Sequence, residues 1–146
     1  MAKREVQYVS KTPAILPEAG ALIERIFREE LDLPMADRIE RERDLAAAAY
    51  DESRDVIETA ELDGKLVGAV VVTHDDIPVP GARLLWLGVD ASYRGRGIGR
   101  HLVLRGVEAC RQRRLPALRA RTLAVSPALP HVFWMHGFRV IDFGPP

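Results

Sequence analysis

Cysteine is almost absent: Cys110 stands alone in 146 residues, which rules out an intrachain disulfide and a cysteine-based zinc cluster. Long apolar runs are missing too, and none approaches the roughly 18 residues that a membrane span requires. The opening "MAKREVQYVS" lacks the apolar core of a secretory signal. We therefore expect a cytoplasmic protein with no membrane partner. Net charge is also lacking, with 21 basic residues balanced by 21 acidic ones.

The neutral sum conceals an asymmetry. From Glu18 to Glu58 there are thirteen acids and six bases, whereas from Arg94 to Arg121 there are nine arginines and one acid, Glu108. The carboxyl half therefore attracts anions. Nucleic acid is not the expected partner, because the arginine-rich stretch interleaves glycines rather than aromatics. With 47% hydrophobic and 29% charged residues, the composition is that of a globular protein, and residues 1–146 fit one domain.

Periodicity gives the elements. "REVQYVS" alternates as a strand, and after Thr12-Pro13 the residues Ile15, Ala19, Leu22, Ile23, Ile26 and Phe27 fall on one helical face. That helix stops near Asp32-Leu33-Pro34, and a second, charged one follows in "MADRIERERDLAAAAY". "VIETAELDGKLVGAVVVTHD" reads as a hairpin about Asp63-Gly64, and "RLLWLGVD" as an apolar strand in the middle of a sheet. A helix with Ile98, Leu102, Ala109 and Cys110 inward comes next, and then a strand in "ALRARTLAV". A short helix in "PALPHVFWMHGF" and a last strand in "FRVIDF" close the chain. The order β-α-α-β-β-β-α-β-α-β implies a mixed α/β sheet covered by helices.

Between the apolar strand and the third helix lies "YRGRGIGRHL", with three glycines and three arginines in ten residues. A strand, a glycine-rich turn and a helix start form an anion site, since the first helical N–H groups have no intrahelical partner. Glycine allows close approach to phosphate oxygens, and Arg94, Arg96 and Arg100 can add charge-assisted bonds. The triphosphate loop is excluded because Gly99 is followed by Arg100-His101, not Lys-Ser/Thr. The dinucleotide fingerprint fails on the spacing of Gly95, Gly97 and Gly99.

The spacing that does fit is Arg-x-x-Gly-x-Gly, Arg94, Gly97 and Gly99, within "LGVDASYRGRGIGRHLV" and followed later by "HGF". In this block, and in its element order, the chain resembles the GNAT superfamily of acetyl-CoA-dependent N-acetyltransferases. The resemblance implies a mainly antiparallel mixed sheet with helices on both faces. It also implies acetyl-CoA as cosubstrate, no metal, and a primary amine acceptor on a small molecule or an exposed amino group. The acetyl group would pass by direct attack in a ternary complex. The backbone of Leu87, Gly88 and Val89 would pair with the pantetheine arm, and the amides of Arg94, Gly95, Arg96, Gly97, Ile98, Gly99 and Arg100 would hold the pyrophosphate. Ser126 and Phe133 would border the cofactor, at positions where the family often has asparagine and an acidic tyrosine. A non-catalytic CoA-binding module is the alternative, and a homodimer stays open.

Proton removal needs a base, because only a neutral amine attacks a thioester. Glu58, His74, Asp75, Asp76 and His131 are the candidates, with Glu58 singled out as catalytic base and otherwise a solvent-facing strand residue. His74-Asp75-Asp76 could ligate a metal, but a solvated turn is the expected reading. His131 and His136 are expected to be satisfied histidines, and Tyr50, Trp86 and Trp134 to be packing residues. Arg119 and Arg121 share one strand face and could clamp a substrate carboxylate; otherwise they face solvent or pair with acids.

Overall fold

The structure, a computed structural model, describes residues 5–76, 81–115 and 118–119. Among these, strand β1 (Gln7–Ser10) leads through a 3-10 turn into helix α1 (Leu16–Leu31), followed by helix α2 (Ala36–Ala48). Strands β2 (Val56–Leu62), β3 (Lys65–His74) and β4 (Ala82–Val89) come next, then helix α3 (Ile98–Gln112) and strand β5 (Leu118–Arg119). The sheet order is β1-β2-β3-β4-β5, antiparallel throughout except for the parallel β4–β5 pair. The expected helix and strand after residue 119, with Ser126, His131, Phe133, Trp134 and His136, lie outside the described residues, as does Arg121.

Local sequence explains most boundaries. α1 ends where Asp32 turns left-handed, at φ 51°, and Leu33 donates back to the Phe27 carbonyl. The β2–β3 hairpin turns on Asp63 and Gly64, both at positive φ, as a tight two-residue turn demands. The expected "RLLWLGVD" strand, β4, lies inside the sheet between β3 and β5, and β3 beside it is the more buried of the two. The "LVGAVVV" run of β3 is buried along its whole length, because helices cover both faces there.

Two apolar layers result. α3 puts Ile98, Leu102, Ala109 and Cys110 against Val56, Val70, Val72 and Val89 on one face. On the other face α1 and α2 put Leu16, Ile23, Ile39 and Ala46 against Ile57, Val71 and Trp86. Cys110 lies inside the first layer, and burial pushes its thiol up, away from the reactive thiolate.

Both halves of the sheet carry an irregularity. In β3 the pairing with β2 slips by one between Ala60 and Glu61. In β4 the register moves between Val71 and Val72, so that Trp86 faces Val71 while Leu84 faces Val72. Leu85 is the extra residue of this bulge. Leu84 and Leu87 consequently join the α3 layer, whereas consecutive Leu85 and Trp86 both join the α1–α2 layer.

Leu102 is fully buried, whereas Leu104 on the same helix is 43% exposed. Leu102→Ala should therefore lower stability in urea unfolding by about 2–5 kcal/mol. Leu104→Ala should stay within about 0.5 kcal/mol of the parent.

Candidate active site

The turn between β4 and α3 is built by side chains from both its ends. Asp90 accepts the backbone N–H of Ser92 at 3.0 Å and the guanidinium of Arg25, from α1, at 2.6 Å. The Ser92 amide, above all, draws the Asp90 carboxyl below its ordinary range; burial opposes this, and the Arg25 and Lys65 charges reinforce it. Arg94 donates Nε to the Val89 carbonyl at 3.1 Å and forms a bidentate pair with Glu30 of α1. Two charge pairs thus tie α1 to this turn.

Glycine does the rest. Gly95 and Gly97 both sit at φ +78°, a left-handed conformation that other residues rarely adopt, and a Cβ on either would meet nothing within 4 Å. Gly97 caps α3 without any side-chain hydrogen bond, and no acid stands in the first turn. The first intrahelical donor is His101, to the Gly97 carbonyl, so the amides of Ile98, Gly99 and Arg100 precede the helical ladder. Open space and the positive helix end suit a phosphate group. Exposed Arg96 lies over the Tyr93 ring at 5.4 Å, with Lys65 at the same distance from that ring.

The Arg94 guanidinium is engaged by Glu30 and the Val89 carbonyl, so it braces the turn. Leu87, Gly88 and Val89 end β4 immediately before this turn. α1 presses so closely there that a Cβ on Gly88 would meet Ile23 Cδ1 at 2.7 Å and Ile26 Cδ1 at 2.8 Å.

A match to the model of the Acetyltransferase (GNAT) family spans residues 21–138. The chain belongs to the GNAT acetyltransferase family. No curated protein matches it in sequence, but solved structures do. A GNAT-family acetyltransferase from Staphylococcus aureus superposes with a TM-score of 0.79 at 17% identity, over 95% of this chain and 87% of that one. A GCN5-related N-acetyltransferase from Ralstonia eutropha gives 0.76 at 18% identity, over 97% and 98% of the two chains. A predicted acetyltransferase from Clostridium acetobutylicum, crystallised with acetyl-CoA, gives 0.76 at 14% identity, over 97% and 95%. At these identities the likeness establishes the fold.

The remaining site residues of this GNAT chain are dispersed. Glu58 is not solvent-facing: it is 7% exposed beneath α3, with Oε1 3.3 Å from Arg105 and Oε2 without a hydrogen bond. α3 covers that stretch of β2, and Arg105 supplies the counter-charge that a buried carboxylate needs. Arg119 is engaged by Asp75, donating to its carbonyl at 3.1 Å with the carboxylate 3.8 Å away. This engagement is the alternative the sequence offered for Arg119, pairing with an acid, beside the carboxylate clamp. Among the described residues no three His, Cys, Asp or Glu side chains gather as metal ligands, and no helix is long and apolar enough to cross a membrane.

His74 is the surprise. Instead of ending in a solvated turn, it sits 2.8 Å through Nδ1 from Asp55 Oδ1, and its backbone N–H donates to the same oxygen at 2.6 Å. Asp55 is 3% exposed, and its other oxygen accepts the Asp51 amide at 2.9 Å. Sequence reading overlooked Asp55. The available signal was a carboxylate at the foot of a strand whose hairpin partner ends in histidine.

The depressed Asp90 titration has a stability consequence. Its contribution is complete above the unfolded-state value of about 3.9 and disappears as pH falls through the lower folded value. Asp90→Asn should cost about 1.5–3 kcal/mol at pH 7. That deficit should shrink on acidification below about pH 4, as read from urea unfolding at several pH values.

Proposed function

We propose that the protein transfers an acetyl group from acetyl-CoA to a primary amine. The observation that carries this reading is the open start of α3, where Gly95 and Gly97 bend left-handed in front of a helix end with no side-chain cap. The amides from Arg94 to Arg100 would bind the pyrophosphate, with the Arg96 and Arg100 guanidiniums adding charge. The β4 end at Leu87, Gly88 and Val89 would pair with the pantetheine arm, and the bulge at Leu85 would lie beside the thioester. Ser126 and Phe133 would border the same cofactor. The presence of acetyl-CoA in the Clostridium acetobutylicum relative supports this choice of cosubstrate.

Acetyl-CoA supplies an activated thioester. The amine nitrogen attacks its carbonyl carbon, a C–N bond forms, the C–S bond breaks, and the pair leaves with sulfur as a thiolate. The nitrogen gives up one proton. Phe133 has none to offer the thiolate, so water protonates it. The chain's own part is to hold the diphosphate by backbone donors and so fix the thioester against β4.

A non-catalytic CoA-binding module keeps the same pocket but releases no thiol. Two measurements test the proposal. Calorimetry should show acetyl-CoA binding that Gly97→Asp, folded by circular dichroism, weakens at least about tenfold, equal to ~1.4 kcal/mol. Unchanged affinity would overturn the pocket. Free-thiol release with a panel of polyamines, amino acids, aminoglycosides and peptide amino termini should exceed the amine-free rate for at least one member. Binding without any such release would leave the non-catalytic module.

A further inference from the structure

A cleft of about 240 Å³ opens on the α2 side of the sheet, away from the glycine turn. Leu45 of α2 and Ala49 just after it, His74 at the end of β3 with Asp75 following, and Arg83 and Leu85 of β4 line it. Ligand clefts and cavities usually run from about 300 to 1,000 Å³, so this smaller space suits only the amine-bearing end of a molecule. Leu85, the bulged residue, lies only two positions from Leu87, roughly 7 Å along the strand. The cleft therefore runs from the Asp55–His74 pair toward the stretch of β4 assigned above to the thioester.

We propose that this cleft receives the acceptor amine and that His74, oriented by Asp55, takes the proton the amine must lose. The inference rests on the acetyl-transfer reading above. Asp55 can only accept hydrogen bonds when ionised, so its 2.8 Å contact places the imidazole proton on Nδ1. The lone pair then sits on Nε2, the atom a base needs. Asp55 is held on both oxygens and buried, so the ring cannot turn without losing that bond. In this arrangement His74 is the catalytic residue and Asp55 the positioning residue.

The side chains that line the cleft lean acidic, which suits a cationic acceptor, while Arg38 stands 3.7 Å from Glu42 on α2. The lining carries Glu42, Asp55 and Asp75 against one guanidinium, Arg83. From α2, Glu42 accepts Trp86 Nε1 at 3.3 Å and Arg83 at 3.4 Å. Arg119 of β5 approaches Asp75, and the neighbouring Asp76 is paired with Arg54 at 3.0 Å. A protonated amine entering this cleft gives one proton to Nε2, and the freed nitrogen pair attacks the thioester carbon. As the C–S bond breaks, the nitrogen's second proton passes through water to the departing thiolate, and the imidazolium returns the first proton to water.

Thiol release by the best acceptor of the panel, measured from pH 5.5 to 9, tests this. In the parent, kcat/KM should fall at acidic pH, where an imidazolium cannot accept a proton. His74→Gln should lower kcat by about 10²–10⁴-fold and leave acetyl-CoA affinity unchanged by calorimetry. Its remaining rate should climb about tenfold per pH unit, following the free amine in solution. Asp55→Asn should lower kcat in the same direction. If that variant does not fold, ring-nitrogen spectra of the parent still decide, and should show the proton of His74 on Nδ1. A His74→Gln enzyme within about threefold of the parent, or a proton on Nε2, overturns the base while leaving the acetyl-transfer reading intact. A parent that binds acetyl-CoA and acetylates no amine overturns both.

Discussion

One extra residue in β4 sets the geometry on which the rest depends. Side chains in a strand alternate between faces, and the bulge at Leu85 breaks that alternation once. Without it, Trp86 would enter the α3 layer and Leu87 would face α1. With it, Leu87 and Val89 face α3, while Leu85 and Trp86 both lie under α1 and α2. Trp86 reaches Glu42 on α2 from this position, so with Arg83 it adds polar contacts to the packing of Ile39 and Ala46 that anchors α2. A bulge beside a reactive centre is a common device for re-aiming a strand.

Charge, which cancels over the chain, is arranged in this fold to join distant segments. Glu30 meets Arg94 and Arg25 meets Asp90, each crossing more than sixty residues of sequence. These pairs hold α1 against the turn whose glycines need freedom to curl. The acids of the amino-terminal half thus neutralise part of the arginine excess of the carboxyl half. What stays exposed at the turn, Arg96 and Arg100 at the start of α3, is the portion suited to an anion. Glu58 shows the same logic indoors, where Arg105 is its counter-charge.

The two proposed functions of the sheet sit at opposite ends of β4. The glycine turn follows its last residue, and the acid-rich cleft begins at its first turn of chain, where His74 pairs with Ala82. A cosubstrate and an acceptor arriving from opposite ends would meet near the bulge, which is the arrangement that direct transfer between two bound molecules requires.

Sequence alone determined whatever is decided over a few residues. Apolar spacing placed α1 and α3, Asp63-Gly64 placed the hairpin, and the glycines placed a left-handed turn before α3, because these depend on local periodicity and dihedral preference. The family was also legible, since its motif occupies one contiguous block. Register and pairing were not. Counting outward from the hairpin turn sets Asp55 opposite the wrong residue, because the slip between Ala60 and Glu61 shifts every later pair by one. Only the folded sheet brings Asp55 to His74, buries Glu58 beneath α3 and gives Arg119 to Asp75. Each of these contacts joins residues nineteen or more apart, and their free energy comes from packing that no local pattern encodes.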